Sequence, residues 1–192
     1  MTAGSPTSPP PDGHPKDHDE IESYLAGLVG SELAAPVTAA DPVNQPMIRH
    51  LVLALGDRNP VYTDVRAAAD SVYGGIIAPP TALQTWTMPP PAGPAGEAPR
   101  TGRDELMLVL DAAGFTGIVV ATMEQTYQRP LHLGDLLTST LRLAAVSPLK
   151  QTALGEGYFL TEALDYVDQR GERMGEIRRT VLKYRPRTGA RG

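Results

Sequence analysis

Residues 153–167 read ALGEGYFLTEALDYV, a stretch in which apolar and polar residues alternate. A period of two is typical of a β-strand that buries one face and exposes the other. The stretch therefore predicts a long strand that packs on one side against a core. Five of its large apolar residues share one parity: Leu154, Tyr158, Leu160, Leu164 and Tyr166.

Three more segments flank this strand and show the same period. They cover residues 118–129, 136–146 and 173–184, and the connections between the four segments are short. Short connections between long strands favour an antiparallel meander. Gly155 and Gly157 interrupt the third strand, and they indicate a bulge, the close approach of a ligand, or a bend of the sheet around a helix.

The chain before residue 90 is predicted to be helical, because apolar residues there recur at i, i+3, i+4 and i+7 between residues that cap helices. Helices followed by strands predict an α+β domain in which a single antiparallel sheet wraps around a central apolar helix. Four helices are predicted: from Asp17 or Asp19 to Gly30, from Asn44 to Gly56, a short one from Asp64, and a short one from Pro79 and Pro80 through Leu83 to Trp86.

Proline marks the loose parts of the chain, since ten of the nineteen prolines fall in residues 6–15 and 89–99. A length of 192 residues leaves room for one domain. We predict a disordered Pro-rich tail at residues 1–18, one domain at residues 19–186 that includes a Pro/Gly-rich loop at residues 89–102, and a C-terminal tail at residues 187–192.

Composition excludes several classes of function. The chain has no cysteine, so it can form no disulfide, thiolate nucleophile or cysteine metal site, and its four histidines are too scattered to predict a metal centre. A net charge of −5 argues against nucleic acid as a partner. No apolar run suggests a signal peptide or a membrane span, so we expect a soluble, cytoplasmic protein that does not bind membranes.

The polar turn GDRNPVYTD at residues 56–64 follows the second predicted helix without a spacer. Asp57 could act as a general base there, or its carboxylate could fix the turn by accepting hydrogen bonds from backbone N–H groups. Asn59 is most simply a residue that forms the turn. The turn alone leaves both interpretations of Asp57 open.

Three motifs in order resemble the MaoC-like enoyl-CoA hydratases and dehydratases, which have the hot-dog fold. They are the turn at residues 56–64, YGGIIAPPTALQTW at residues 73–86 and QRPLHLGDLL at residues 128–137, and the resemblance covers residues 20–186. The chain also resembles the hot-dog domain of the larger subunit of a two-subunit actinobacterial hydratase of steroid side-chain CoA thioesters. In that subunit a second domain follows, and this sequence ends at Gly192, either as a hot-dog-only version or as a piece of a longer protein.

The sequence departs from the pattern of active relatives at two positions. Those relatives carry Asp-x-Asn-Pro-aliphatic-His, and Tyr62 stands here in place of the histidine. A phenol has a pKa near ~10 against ~6.5 for an imidazole, so it is a poor proton shuttle at neutral pH. The resemblance also implies a glycine that donates its N–H to the thioester carbonyl, and Pro80 at that position has no N–H. We therefore expect no catalytic residue on this chain, with Asp57, Asn59, Tyr62 and Pro80 as degenerate positions.

The resemblance also implies which residues contact the substrate, an acyl-CoA thioester, with no cofactor. Other interpretations remain open, because Trp86 could equally be a core or interface residue, and Arg129 and Lys150 could be unpaired surface cations. The expected substrate-binding residues are Gly75, Ile76, Ile77, Ala78, Pro79, Trp86, Arg129 and Lys150.

Together these features predict a catalytically degenerate subunit of a heteromeric enoyl-CoA hydratase that acts on steroid side-chain thioesters. By resemblance, a small MaoC-like hot-dog subunit supplies the catalytic Asp and His, and two such heterodimers form a heterotetramer. Two alternatives remain open: a homodimeric acyl-CoA hydratase or thioesterase that uses Asp57, and a non-enzymatic acyl-CoA-binding hot-dog protein.

Overall fold

The computed structural model describes Pro15 and residues 17–88 and 100–187. These residues form a six-stranded antiparallel sheet and four α-helices, with two 3₁₀ helices at Pro60–Tyr62 and Pro80–Thr87. The α+β prediction is thus confirmed. The elements are α1 (His18–Leu28), β1 (Val37–Thr38), α2 (Gln45–Leu55), α3 (Val65–Ala69), α4 (Gly102–Ala112), β2 (Gly117–Tyr127), β3 (Thr138–Val146), β4 (Lys150–Gln151), β5 (Gly155–Val167) and β6 (Arg173–Pro186).

The strands are arranged in the order β1-β3-β5-β6-β2, and β4 pairs with β5. The meander prediction is therefore right for β3, β5 and β6 but wrong for β2, which pairs with β6 at the opposite side of the sheet from β3. The connection from β2 to β3 crosses this distance, and it buries Leu131 and Leu137 in the core on the way. Because this connection buries both leucines, it runs across the core instead of forming a tight hairpin. The length of a connection alone does not show which of the two forms.

The first three helices form where their capping residues predict. Asp17 caps α1 by accepting a hydrogen bond from the amide of Glu20 (2.8 Å), and Asn44 caps α2 in the same way. Helix α2 ends at Gly56, whose φ of 67° is left-handed and favours glycine. Helix α1 begins at His18, one residue before the predicted start of the domain at residue 19, while residues 1–14 and 16 of the predicted tail lie outside the described residues.

Helix α4 was not predicted. It begins inside the stretch assigned to the loop at residues 89–102, of which residues 89–99 lie outside the described part of the chain. Thr101 and Asp104 form a capping box, in which the Thr101 hydroxyl accepts from the Asp104 amide (3.2 Å) and the Asp104 carboxylate accepts from the Thr101 amide (2.8 Å). The capping signal is local and therefore present in the sequence, directly after the proline-rich stretch.

The predicted short helix after Pro79 forms as the 3₁₀ helix Pro80–Thr87. It buries Leu83 and Trp86. It ends at Thr87, and the next residue, Met88, has an extended backbone with a ψ of 124°. A residue before proline is disfavoured in the helical region, so Pro89 limits the length of this helix.

Two apolar clusters form the core on one face of the sheet. In the first, α2 and the 3₁₀ helix Pro80–Thr87 pack against Tyr166, Met174 and Ile177 of the sheet. In the second, α1 and α4 pack against strands β3, β5 and β6. Helices from both halves of the chain therefore pack against the sheet, as the predicted α+β fold requires.

The two glycines of β5 are explained by the neighbouring strand. A Cβ atom added to Gly155 would lie 2.0 Å from the carbonyl oxygen of Arg185, and one added to Gly157 would lie 2.3 Å from that of Lys183. The backbone of strand β6 is therefore what approaches these two glycines closely. Leu154 lies before β5 and is 47% exposed, so its predicted place on the buried face was wrong.

Candidate functional site

A cleft of about 170 Å³, the proline cleft, brings two of the sequence motifs together. One wall consists of Ile77, Ala78, Pro80 and Leu83, and the other consists of residues 127–131. Tyr73 and Met174 complete the lining. The motifs YGGIIAPPTALQTW and QRPLHLGDLL, which are far apart in the sequence, therefore build one surface.

Backbone hydrogen bonds hold the two walls side by side. The amide of Ala78 donates to the carbonyl oxygen of Leu131 (2.8 Å), and Ile77 forms an isolated antiparallel bridge with His132. Gly74 precedes this stretch with a φ of 67°, so the chain can turn into the cleft wall there. The position of Pro80 is thus fixed by the backbone of both motifs.

Tyr62 occupies the first core cluster and is only 9% exposed. Burial raises the pKa of the Tyr62 phenol, and the nearby Asp57 and Tyr73 raise it further. Its backbone carbonyl accepts a hydrogen bond from Gln45 Nε2 (2.9 Å). The phenol therefore remains protonated at neutral pH and cannot accept a proton as a general base.

The Asp57 carboxylate is engaged in its own turn. Its Oδ1 accepts a hydrogen bond from the amide of Asn59 (2.9 Å), and the Asn59 side chain in turn accepts one from the amide of Val61 (3.2 Å). Both side chains thus perform the turn-forming role that short polar residues often have. This geometry favours the interpretation of Asp57 as a residue that fixes the turn.

Pro80 is the first residue of its 3₁₀ helix, is exposed, and lines the proline cleft. It offers no N–H to a ligand there. An oxyanion is stabilised by N–H donors that point directly at it, so the cleft lacks such a donor at this position.

The predicted substrate-binding residues do not all meet in one place. Ile77, Ala78 and Arg129 line the proline cleft, whereas Gly75, Ile76 and Pro79 belong to the same loop without lining the cleft. Two more lie elsewhere among the described residues. Trp86 is buried in the first core cluster, and Lys150 is exposed on β4, where it pairs with Gly157.

Arg129 is held by acidic side chains. Its guanidinium donates to Asp135 (2.9 Å) and to Asp168 (3.0 Å). Burial alone would raise the pKa of Asp168, but hydrogen bonds from the amides of Glu172 and Arg170 and from the Arg170 side chain lower it to about 2. Arg129 therefore ties the connection after β2 to the turn between β5 and β6, and a substrate phosphate would have to share its guanidinium.

Several residues of the cleft were not predicted, namely Tyr73, Leu83, Tyr127, Gln128, Pro130, Leu131 and Met174. Most of them lie inside the two motifs YGGIIAPPTALQTW and QRPLHLGDLL, so these motifs already contain most of the residues that line the cleft. Met174 lies at the start of β6, and its backbone carbonyl accepts a hydrogen bond from the amide of Gln128 (3.0 Å), a contact between segments distant in sequence.

Within the described ranges, no helix has the length and apolar character needed to cross a membrane. In the same part of the chain, no group of three or more histidine, aspartate or glutamate side chains could hold a metal ion.

Comparison with known proteins identifies the family. Residues 28–176 match the family model described as "FAS1-like, dehydratase domain region". The chain is 39% identical over 170 residues to a probable enoyl-CoA hydratase alpha subunit from Thermomonospora curvata, covering 88% of this chain and 53% of that protein. It is 39% identical over 169 residues to the 3-oxo-4,17-pregnadiene-20-carboxyl-CoA hydratase alpha subunit of Mycobacterium tuberculosis, covering 87% and 53%. The chain thus spans about half the length of these curated relatives.

Solved structures support the same assignment. A chain in the crystal structure of the ChsH1-ChsH2 complex from Mycobacterium tuberculosis superposes with a TM-score of 0.79 at 36% identity, covering 90% of this chain and 95% of that one. A MaoC-like dehydratase from Rhodospirillum rubrum superposes with a TM-score of 0.52 at 21% identity, covering 81% and 94%, which supports the fold alone. The predicted hot-dog fold is confirmed, and the chain belongs to the family described as FAS1-like, dehydratase domain region.

Proposed function

We propose that this chain is the non-catalytic hot-dog subunit of a heteromeric enoyl-CoA hydratase, in which a partner hot-dog subunit supplies the Asp and His that activate water. The observation that carries the proposal is the buried Tyr62 at the position of the family's histidine, with a pKa raised by burial, Asp57 and Tyr73. Efficient general acid–base catalysis needs a group whose pKa lies near the working pH. A phenol with a raised pKa does not meet this requirement.

The size of the proline cleft supports a shared binding site. Pockets that enclose a drug-sized ligand measure roughly 300–1,000 Å³, whereas this cleft measures about 170 Å³. A CoA thioester with a steroid acyl group is larger than a drug, so the cleft can hold only part of it. This supports a site that a second subunit completes.

The edge of the sheet supports a place for that subunit. Strand β2 pairs with β6 on one side and has no partner strand on the other among the described residues. Its Ile118 and Val120 are 50% and 52% exposed, and Tyr127 at its end also lines the proline cleft. A partner that packs along β2 would therefore reach the cleft.

The substrate class comes from the relatives, whose names specify enoyl-CoA and pregnadiene-carboxyl-CoA hydration by alpha subunits. We extend this class to the present chain: it contributes part of the channel for a steroid side-chain enoyl-CoA, and the complex contains two heterodimers. Because this chain's part of the binding site holds no catalytic side chains in the proposal, it leaves room for the bulky ring system of a steroid substrate.

The test is reconstitution with the small MaoC-like partner, followed by a hydration assay on a steroid side-chain enoyl-CoA. We expect turnover by the complex, none by the isolated chain, and loss of turnover when the partner's catalytic Asp is replaced by Asn. Light scattering should give the mass of a heterotetramer. Turnover of an enoyl-CoA or acyl-CoA by the isolated chain would contradict the proposal and favour a homodimeric enzyme. Binding of thioester without turnover in any complex would favour a non-enzymatic role.

A further inference from the structure

The inner face of strand β2 is the side of the strand that faces the two core clusters. Val120 defines this side, because it is paired with Val181, which is buried in the second core cluster. Directly paired residues of neighbouring strands lie on the same face of a sheet. Ile118, Met123 and Tyr127 share this side, and all four residues are between 41% and 52% exposed. Within the described ranges, the helices therefore leave this apolar face uncovered.

Three charged side chains lie directly beside this face. Four residues form one row across the sheet: Leu143 of β3, Glu162 of β5, Arg179 of β6 and Met123 of β2. Arg103 of α4 reaches the same row, because its Nε donates to Glu162 Oε1 (2.6 Å). Met123 at the edge of the sheet is thus the neighbour of Arg179 on the uncovered face.

The buried Glu162 carboxylate holds both arginines. Its Oε1 accepts from Arg103, and its Oε2 accepts from Nε (2.9 Å) and Nη2 of Arg179. The two Nη atoms of Arg103 and Nη1 of Arg179 form no hydrogen bond with any described residue. The two arginine side chains are 28% and 23% exposed. Both guanidinium groups therefore retain N–H donors for a further acceptor.

Positive charge is in excess at this cluster, since two guanidinium groups share one carboxylate. Asp104 follows Arg103, but its carboxylate accepts hydrogen bonds from the amide and the hydroxyl of Thr101. These hydrogen bonds are the main cause of the lowered pKa of Asp104, and the charges of Arg103 and Arg100 lower it further. With Asp104 and Arg100 counted, three positive charges still face two negative ones. One more carboxylate would balance the charge and accept charge-assisted hydrogen bonds.

That carboxylate has to arrive on an apolar surface, because the free donors lie next to the uncovered face of β2. The acidic residue of β2 itself, Glu124, is paired with Arg178 and lies on the opposite face from Met123, its neighbour in sequence. A second copy of this chain that pairs along β2 therefore brings no carboxylate from that strand to the arginines. It covers the apolar residues without balancing the charge.

We propose that Arg103 and Arg179 form the docking site for an Asp or Glu side chain of the partner hot-dog subunit, whose apolar surface covers the inner face of β2. The inference rests on the proposed function for the existence of this partner. It adds the residues that select the partner, because the arginines favour a surface with a carboxylate over a second copy of this chain.

Charge substitutions at Met123 test the site without removing an ion pair. The complex is formed from the full chain and the small MaoC-like subunit, and its Kd is measured by isothermal titration calorimetry. Met123→Glu places a carboxylate of the chain itself beside Arg179, where it competes with and repels that of the partner. We therefore expect Met123→Glu to bind the partner about tenfold more weakly than Met123→Lys does. An apolar edge that does not recognise charge would not distinguish the two variants.

Ile118→Glu and Ile118→Lys are the matched controls on the same face. Ile118 is paired with Lys183, whose charge Asp111 already compensates (2.6 Å), so these two variants should weaken binding to a similar extent.

Arg103→Gln tests the arginine itself. It should weaken binding of the partner about tenfold, as expected for loss of a hydrogen bond between charged groups. It should also reduce the difference between Met123→Glu and Met123→Lys. The melting temperature of each free variant shows whether it is folded.

Four outcomes would overturn the inference. Equal affinities of Met123→Glu and Met123→Lys, in complexes that still hydrate enoyl-CoA, would overturn it and leave the proposed function intact. No association of the wild-type chain with the small subunit would overturn both. Tighter association of the chain with itself than with the small subunit, measured by analytical ultracentrifugation, would assign the face to a second copy. Binding of free CoA that Arg103→Gln abolishes would assign the arginines to a phosphate of the substrate.

Discussion

The turn at residues 57–62 is fixed by short polar side chains and not by the side chain at position 62. Asp57 and Asn59 fix the backbone there by accepting hydrogen bonds from the amides of Asn59 and Val61. These contacts do not involve the Tyr62 phenol, which packs in the first core cluster. The side chain at position 62 can therefore be exchanged without removing the hydrogen bonds that fix the turn.

Asp57→Asn tests the role of the carboxylate. In the reconstituted complex we expect kcat/KM to stay nearly intact, because the amide oxygen of Asn can still accept the hydrogen bond from Asn59 that the carboxylate accepts now. Loss of a true catalytic acid or base typically costs ~10²-fold or more. A drop of that size in steady-state hydration, with the complex still assembled by size-exclusion chromatography, would show that Asp57 is catalytic.

Tyr62→His alone should not restore a working site, because Pro80 still offers no N–H to the thioester carbonyl. Loss of one oxyanion donor costs about 10² to 10³ in rate. The double variant Tyr62→His with Pro80→Gly should therefore exceed the single variant, although glycine loosens the start of the helix.

Both variants are assayed for enoyl-CoA hydration in complex with a partner whose catalytic Asp is removed. Equal turnover by the single and double variants would mean that the missing N–H at position 80 is not limiting.

Tyr166 makes stability depend on pH in the alkaline range. Burial raises its pKa to about 12, against about 10 for an unfolded tyrosine. The folded state therefore holds this proton more tightly. Its contribution to stability is fully present below pH about 10 and is lost as the pH rises towards about 12.

Tyr166→Phe should accordingly make the decline in the free energy of unfolding less steep between about pH 10 and about pH 12. Urea unfolding at several pH values across this window measures the slope. Tyr73→Phe, which changes a phenol that is 42% exposed, serves as the control. An unchanged slope for Tyr166→Phe would contradict the prediction.

At the scale of the element, α4 is held to the sheet by ion pairs as well as by apolar packing. Glu162 of β5 is fully buried, and it accepts hydrogen bonds from Arg103 of α4 (2.6 Å) and from Arg179 of β6 (2.9 Å). Near the other end of α4, Asp111 pairs with the buried Lys183 (2.6 Å). Both ends of the helix are therefore joined to the sheet.

Glu162→Gln should destabilise the fold by about 3 kcal/mol, at the low end of the cost of breaking a buried ion pair. The lower value applies because Arg103 and Arg179 are 28% and 23% exposed and can reach water. Asp165→Asn on the same strand removes a more exposed carboxylate and should cost less than about 1 kcal/mol. Urea unfolding measures the free energy of unfolding of both variants. An equal loss of stability in the two would show that burial of the Glu162 carboxylate does not make its ion pairs more important to the fold.

At the scale of the whole molecule, the free edge of β2 is a liability for an isolated chain. Three of its exposed apolar residues are Ile118, Val120 and Met123, and its outer backbone groups lack a partner strand among the described residues. Edges of this kind favour association between chains.

We therefore expect the isolated chain to self-associate at micromolar concentration in analytical ultracentrifugation. Val120→Lys should reduce this association by placing a charge on the edge. Leu53→Lys changes an exposed leucine of α2 and should not. A well-behaved wild-type monomer would count against the prediction.

The sequence by itself determined the local parts of this protein. Caps such as Asp17, Asn44 and Asp64 act on amides two or three residues away, so the helices they begin could be placed from the chain alone. The strand period is likewise a property of neighbouring residues. The substitutions at Tyr62 and Pro80 were visible for the same reason, because side-chain chemistry does not depend on the fold.

Tertiary structure alone decided what depends on residues distant in sequence. The place of β2 beside β6 is set by pairs such as Val120 with Val181, which no local pattern specifies. The proline cleft forms because the amide of Ala78 bonds to Leu131, and the Arg129 guanidinium is occupied because Asp168 folds back against it. Local signals are fixed by contacts within one turn or strand, whereas edges, clefts and ion pairs form only when the core brings separate segments together.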